Sequence, residues 1–203
     1  MFGLERLSAW FRKPAQPEEP VTPPPAPPPP PEPTVPGKIS GKKKAAIIAT
    51  AVAVATPTTI NYEGFRGKAY YDPAHILTQC YGETRDIDPA KIYSKDECVA
   101  KLRTRMAEDY APGIAKCLPE VVDERRVYVF GALLDASYNA GVVAVCKSRM
   151  ARSVRAGDWQ GACDGFLGWY TTATDRKTGK HIPLRGLVLR RQSEAALCKK
   201  GTN

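Results

Sequence analysis

The chain has 203 residues, 43% of them hydrophobic and 25% charged, enough for one ordinary domain with a real core plus extensions. Its formal net charge of +9 at pH 7 points to an anionic partner. Lys and Arg are interleaved with carboxylates and no nucleic-acid-reading motif is present, so nucleic acid is excluded as the expected partner and the bacterial wall or a membrane surface remains.

Thirteen of the nineteen prolines lie between Pro14 and Pro36, which predicts a stiff polyproline II spacer outside any core. Ahead of it, Phe2, Leu4, Leu7, Trp10 and Phe11 suit a short amphipathic helix on a membrane or a partner contact. From Ala45 to Ile60 the chain carries no charge, follows Lys42, Lys43 and Lys44, and is rich in Ala, Val and Thr without Leu or Phe. As a helix it spans about 24 Å at ~1.5 Å per residue, short of a hydrocarbon core of ~30 Å, and Pro57 weakens its end. The expectation is a weak signal-anchor, with the lysines holding the N-terminal side in the cytoplasm and everything after Ile60 exported. The alternatives are a signal peptide cut near "AVATP", for which the leader is long, and a buried Ala/Val-rich helix or strand. Three regions follow: 1–44, a disordered cytoplasmic leader with a Pro-rich linker; 45–60, the anchor; and 61–203, the folded domain.

All six cysteines lie after the apolar segment, none in a CxxC pair, and His75 and His181 have no metal-ligand spacing to them. No metal or cofactor is expected. The cysteines fit up to three disulfides in an oxidising compartment or buried thiols, with fifteen possible connectivities. "KAYYDPAHILTQCYG" reads as a short β hairpin, with Pro73 after Asp72 and a glycine at 82. Ser94 and Glu97 form a capping box before Cys98, Leu102, Met106 and Tyr110, a helical face that Pro112 is expected to end. Asp123 caps a helix with Val127, Phe130, Leu134 and Tyr138 on one face up to Gly141; Ser148 and Asp158 cap two shorter ones. The last helix covers Arg185 to Lys199. The fold class is α+β, predominantly helical.

Hydrolysis of a glycosidic bond requires one carboxylic acid to protonate the leaving oxygen and one carboxylate to stabilise the sugar cation or activate water. Glu63 and Asp72 are the candidates. Glu63 ends an apolar stretch between Tyr62 and Phe65, where removal from water favours the protonated form that a general acid needs. Asp72 sits in a turn and stays solvated, and Thr78 offers an uncharged hydroxyl to orient water.

The spacing of Glu63, Asp72 and Thr78 within "YEGFRGKAYYDPAHILTQCYGET" resembles the phage-type lysozymes of glycoside hydrolase family 24, whose signature is Glu, eight residues, Asp or Cys, five residues, Thr. "ALLDASYNAGVVAVCKSRMARSVRAGDWQGACDGFLGW" and "PLRGLVLRRQSEAALC" are similar to the family as well, so the resemblance covers about residues 62–200. It implies a lysozyme-like fold with a small β lobe and a helical lobe flanking a cleft. It also implies Glu63 as general acid, Asp72 as second carboxylate and Thr78 as the residue positioning water in an inverting reaction. The implied activity is that of a muramidase acting on peptidoglycan without cofactor, as a monomer. Weakly hydrophobic N-terminal segments in the family mark signal-arrest-release endolysins, tethered to the inner membrane and then released to the periplasm. No cysteine lies in 45–60, which argues against activation by thiol exchange from that segment. Two positions depart from the family: His75 stands where Gly is usual, a place wanting φ > 0, and Leu77 where Pro is frequent. Arg190 and Arg191 read as surface charges, with pairing to Glu63 or contact with substrate as the alternative. The competing function is a catalytically inactive wall-binding module displayed on a proline stalk.

Overall fold

The computed structural model describes residues 39–72, 75–174 and 178–202. The expected apolar set Phe2 to Phe11, the polyproline run and Pro73 lie outside the described residues. Eight α-helices and two small hairpins are described: α1 (Gly41–Glu63), β1 (Arg66–Tyr71), β2 (Leu77–Cys80), α2 (Lys95–Arg105), α3 (Ala111–Cys117), α4 (Val127–Ala140), α5 (Val142–Cys146), α6 (Arg149–Arg155), α7 (Trp159–Asp164), β3 (Thr172–Thr174), β4 (His181–Pro183) and α8 (Arg185–Lys199). The α+β, mainly helical expectation holds.

At the centre lies α4. Its sequence "VYVFGALLDASYNA" is apolar on every side, and Val129 to Ser137 are all buried, as a helix wrapped by others requires. Helices α1 and α8 pack against it. The apolar stretch read as an anchor forms most of α1, so the expected border after Ile60 falls inside a continuous helix that runs through Pro57 to Glu63. Its inner face, Ile47, Ala51, Val52, Ala55, Thr56 and Thr59, is buried, while Ala45, Ala49, Ala53 and Pro57 are exposed on the outer face. The approach to α4 is close because Gly131 has no side chain: a Cβ there would lie 2.5 Å from Val54 Cγ2 and 3.0 Å from the Ala51 carbonyl oxygen.

The capping box forms as expected, with the Ser94 hydroxyl accepting from Glu97 N–H and the Glu97 carboxylate accepting from Ser94 N–H. Pro112 does not end the helical path, which corrects the expectation. A π turn over Met106–Tyr110 follows α2, so Pro112 falls in the first turn of α3, where a helix has no use for the missing N–H. The β3–β4 hairpin, three residue pairs from Thr172↔Pro183 to Thr174↔His181, was not anticipated.

Three disulfides staple the periphery to this frame. Cys80–Cys98 ties β2 to α2, Cys117–Cys146 ties α3 to α5, and Cys163–Cys198 ties α7 to α8. The β1–β2 hairpin is further held by Glu83, whose buried carboxylate accepts from Arg105 Nη2 at 2.6 Å and Nε at 2.9 Å.

Two consequences are measurable. Leucine at Gly131 must push α1 away from α4, and overpacking of this kind costs about 1–3 kcal/mol; urea unfolding of Gly131→Leu should show that loss, and unchanged stability would mean the two helices are not in this contact. Burial pushes the Glu83 carboxyl up from its ordinary value of 4.5, but Arg105 and the N–H groups of Arg85 and Thr84 outweigh it and hold the carboxyl below that value. A carboxyl depressed in the fold stabilises above its unfolded value, and the contribution is lost as pH falls through the depressed one. Unfolding free energy should therefore decline below about pH 4.5, and Glu83→Gln should make that decline shallower; identical acid slopes for the two proteins would contradict the assignment.

Candidate active site

Glu63 is the last residue of α1, and Gly64, at φ 73°, turns the chain into β1. Its side chain is 23% exposed and accepts from Arg190 Nη1 at 2.6 Å. The expected apolar setting is thus corrected: a guanidinium faces the carboxylate. On its other side lies the turn after β2, where a Cβ on Gly82 would come within 3.5 Å of Glu63 Oε2 and 3.9 Å of the Tyr138 hydroxyl. Glycine leaves room there for the carboxylate and supplies the positive φ of 83° that the turn uses. Tyr138 donates to the Tyr81 carbonyl at 2.6 Å. Burial, then the negative charges of Glu63 and Glu83, push its phenol well up, so it stays a donor.

Asp72 and Thr78 stand on the β1–β2 hairpin and both bond the backbone of one residue, Ile76. Ile76 N–H donates to Asp72 Oδ1 at 2.8 Å, and the Thr78 hydroxyl donates to the Ile76 carbonyl at 2.9 Å. Register pairs Tyr70 with Thr78 and Tyr71 with Leu77, so Asp72 follows directly on the paired strand. His75 is exposed and adopts φ 61°, the left-handed conformation expected for a position where glycine is usual, while its N–H donates to the Asp72 carbonyl. Leu77 remains within the strand pairing. The hairpin therefore joins Asp72 to Thr78, and the Gly82 turn brings the same lobe against Glu63.

Arg190 and Arg191 are not surface charges. Their side chains are 3% and 1% exposed, because positions 190, 191 and 194 lie on the face of α8 turned inward. Arg190 directs Nε (3.1 Å) and Nη2 (2.9 Å) at the carboxylate of Asp135, which is fully buried in the middle of α4. Asp135 Oδ1 also accepts from the Thr59 hydroxyl of α1 at 2.6 Å. Arg191 donates to Asn139 Oδ1 and to Glu194 Oε1. Glu194 is raised well above the ordinary carboxylate range, first by burial and then by the hydrogen bond and charge of Asp135, which Arg191 and Arg190 do not offset. Arg190 thus meets the carboxyl groups of Glu63 and Asp135, while Arg191 meets Glu194 and Asn139, so each buried guanidinium has an acidic partner.

Sequence reasoning missed Tyr138, and missed Thr59, Asp135 and Glu194, which connect to Glu63 through Arg190. One signal was present: a lone Asp in the otherwise apolar run of α4 must find a cation, and Arg190 and Arg191 were the unassigned basic residues on a helix with an inward face.

The chain matches the Phage lysozyme family model over residues 60–194. It is similar to the SAR-endolysin of Bacteriophage PS119, at 34% identity over 167 residues that cover 77% of this chain and 92% of that protein. It is similar also to the Endolysin of Acyrthosiphon pisum secondary endosymbiont phage 1, at 31% identity over 136 residues covering 67% and 88%. Among solved structures, the muramidase domain of SpmX from Asticaccaulis excentricus shares the fold with TM-score 0.62 at 23% identity, covering 70% of this chain and 92% of that one. The active form of P1 phage endolysin Lyz does so with TM-score 0.58 at 20% identity, covering 81% and 97%. A family match over most of the folded region, joined to relatives above 30% identity along nearly their whole length, places this chain in the phage lysozyme family.

Proposed function

We propose that this phage lysozyme hydrolyses the β-1,4 bond between N-acetylmuramic acid and N-acetylglucosamine in peptidoglycan, with Glu63 as general acid, Asp72 as second carboxylate and Thr78 positioning the water. Membership of the family makes the chain a glycoside hydrolase that lyses the host cell wall. The observation that carries the residue assignment is the position of Glu63 between the helical part and the β hairpin, with Arg190 on one side and the Gly82 turn on the other. A polysaccharide threaded there meets the acid from one lobe and Asp72 with Thr78 from the other. Glu63 gives its proton to the glycosidic oxygen as the bond to the anomeric carbon breaks. Water adds to that carbon from the opposite face and loses its proton to Asp72. The Thr78 hydroxyl proton is committed to the Ile76 carbonyl, so Thr78 meets the water through an oxygen lone pair. All these residues come from one chain, which supports a monomeric enzyme.

The N-terminal segment supports a second part of the reading, that the enzyme is held in the inner membrane through residues 45–60 and then released to the periplasm, with residues 1–44 as cytoplasmic leader. Gly41–Glu63 is long and apolar enough to cross a membrane, and relatives of Bacteriophage PS119, Bacteriophage PS34 and Escherichia phage Mu are named SAR-endolysins. The same helix cannot lie in a bilayer and against α4 at once. While it spans the membrane, Glu63 is separated from Arg190, so tethering suppresses hydrolysis. Release and docking restore the pair.

Glu63→Gln should keep the fold and lower peptidoglycan hydrolysis by ~10²–10⁴, since an amide has no acidic proton to give; more than a tenth of wild-type turnover would remove Glu63 from that role. Asp72→Asn should be similarly crippled. For the tether, Ala45, Ala49 and Ala53 are the useful sites, being exposed when α1 is docked. Leucine at all three adds lipid affinity of about 0.8 kcal/mol per buried methylene without touching the α4 contact. Cells expressing that variant should retain it in the membrane fraction and lyse late. Lysis on the wild-type schedule by membrane-bound enzyme would show that tethering does not control activity, and wild-type protein cut near Ala55 would identify an ordinary signal peptide.

A further inference from the structure

We propose that Asp135 and Thr59 are positioning residues for the catalytic acid, acting through Arg190: a ring of hydrogen bonds that begins on α1 at Thr59, crosses α4 and α8, and returns to α1 at Glu63. The proposal rests on Glu63 being that acid.

A guanidinium has five N–H groups in one plane, and what holds one edge determines where the other points. Asp135 holds the edge of Nε and Nη2 with both carboxylate oxygens, at 3.1 and 2.9 Å, and its own carbonyl lies 3.4 Å from Nη2. That leaves Nη1 for Glu63 at 2.6 Å. Tyr62, whose ring lies 5.8 Å from the guanidinium carbon, donates to or accepts from Ser193 on α8 and so keeps α1 and α8 together beside the same group. The competing acceptor is Glu194, with Oε1 3.6 Å from Arg190 Nε. That oxygen is already engaged by Arg191 Nη2 at 2.7 Å, and burial with the Asp135 charge favours the neutral carboxyl, so it is the weaker magnet. Take the Asp135 charge away and nothing keeps Nε from turning to Glu194, carrying Nη1 off Glu63.

Thr59 closes the ring from the other side. It precedes Glu63 by one helical turn, so the two share a face of α1. Its single hydroxyl proton has two acceptors, the Ala55 carbonyl at 3.3 Å and Asp135 Oδ1 at 2.6 Å, and the shorter, charge-assisted contact prevails. This fixes the rotation of the end of α1 relative to the carboxylate that orients Arg190. Asp135 itself is 0% exposed and reaches no substrate. Its effect must therefore be on the step that Glu63 performs rather than on binding of the glycan.

The test uses the purified full-length chain with soluble, uncross-linked glycan strands as substrate, each rate divided by the folded fraction from near-ultraviolet circular dichroism. Thr59→Val, which replaces the hydroxyl by a methyl of similar shape, and Asp135→Asn should each lower kcat by about tenfold or more and leave KM within about twofold. Thr59→Ser should return kcat to within about twofold of wild type, because it restores the donor. The proposal is overturned if kcat per folded molecule is unchanged in Thr59→Val, if KM rises with kcat intact, or if Thr59→Ser is as poor as Thr59→Val, which would make the effect one of packing. Should Asp135→Asn fail to fold, the threonine pair alone decides. An active Glu63→Gln defeats the parent assignment; an inactive Glu63→Gln beside normal Thr59 and Asp135 variants defeats only the positioning role.

Discussion

A guanidinium that is 3% exposed must be matched by negative charge and filled hydrogen bonds, and that requirement at Arg190 organises the centre of the molecule. The matching groups cannot come from α8 alone, since Glu194 is itself buried, accepts from Arg191 at 2.7 Å and stands 3.6 Å from Arg190 Nε. One comes from α4, where Asp135 interrupts an apolar helix, and one from the end of α1, where Glu63 stands at the edge of the fold. Three helices distant in sequence are thereby fixed in relative rotation by one side chain. Leaving one buried partner unmatched costs several kcal/mol, so the arrangement is far more specific than apolar packing of the same helices. The close contact at Gly131 serves the same end, because α1 must approach α4 without an intervening side chain for Thr59 to reach Asp135.

Local signals were legible in the sequence and global ones were not. Caps at Ser94, Ser148 and Asp158 depend on residues three positions apart, and each is found where its side chain can accept from its own helix. The positive φ at His75 followed from comparing one residue with the glycine usual at its place. Pro112 misled because proline is a break only when its N–H is required, and the π turn before it removes the requirement. Arg190 misled for a deeper reason. Whether a basic residue is buried depends on which carboxylates the fold brings to it, and here they lie 55 and 127 residues away in sequence. The disulfide partners were unreadable for the same cause, with loops of 18, 29 and 35 residues among fifteen possible pairings. The spacing of Glu63, Asp72 and Thr78 was legible because a short hairpin carries two of the three on neighbouring positions, and the third closes the helix just before it.

On the proposed reading of a tethered and then released enzyme, α1 has two solvents to satisfy. In lipid, every polar group must be paired within the helix, and the threonines can do this by donating to carbonyls one turn back, as Thr56 does to Val52 at 2.7 Å. Against α4 the helix needs small residues at the contact, which Ala51 and Ala55 supply opposite Gly131. Leucines at those inner positions would favour lipid and clash with α4, so they are wrong for both release and docking. The poor quality of the segment as a membrane anchor is thus the same property as its good fit to the core. Thr59 shows how the exchange is made without leaving a polar group bare. Its hydroxyl has an acceptor on its own helix at Ala55 and a stronger one at Asp135 that exists only in the docked fold. On that reading, moving from the first to the second carries the helix from a lipid-compatible state to the docked one, in which its end, and Glu63 with it, is bound to Arg190.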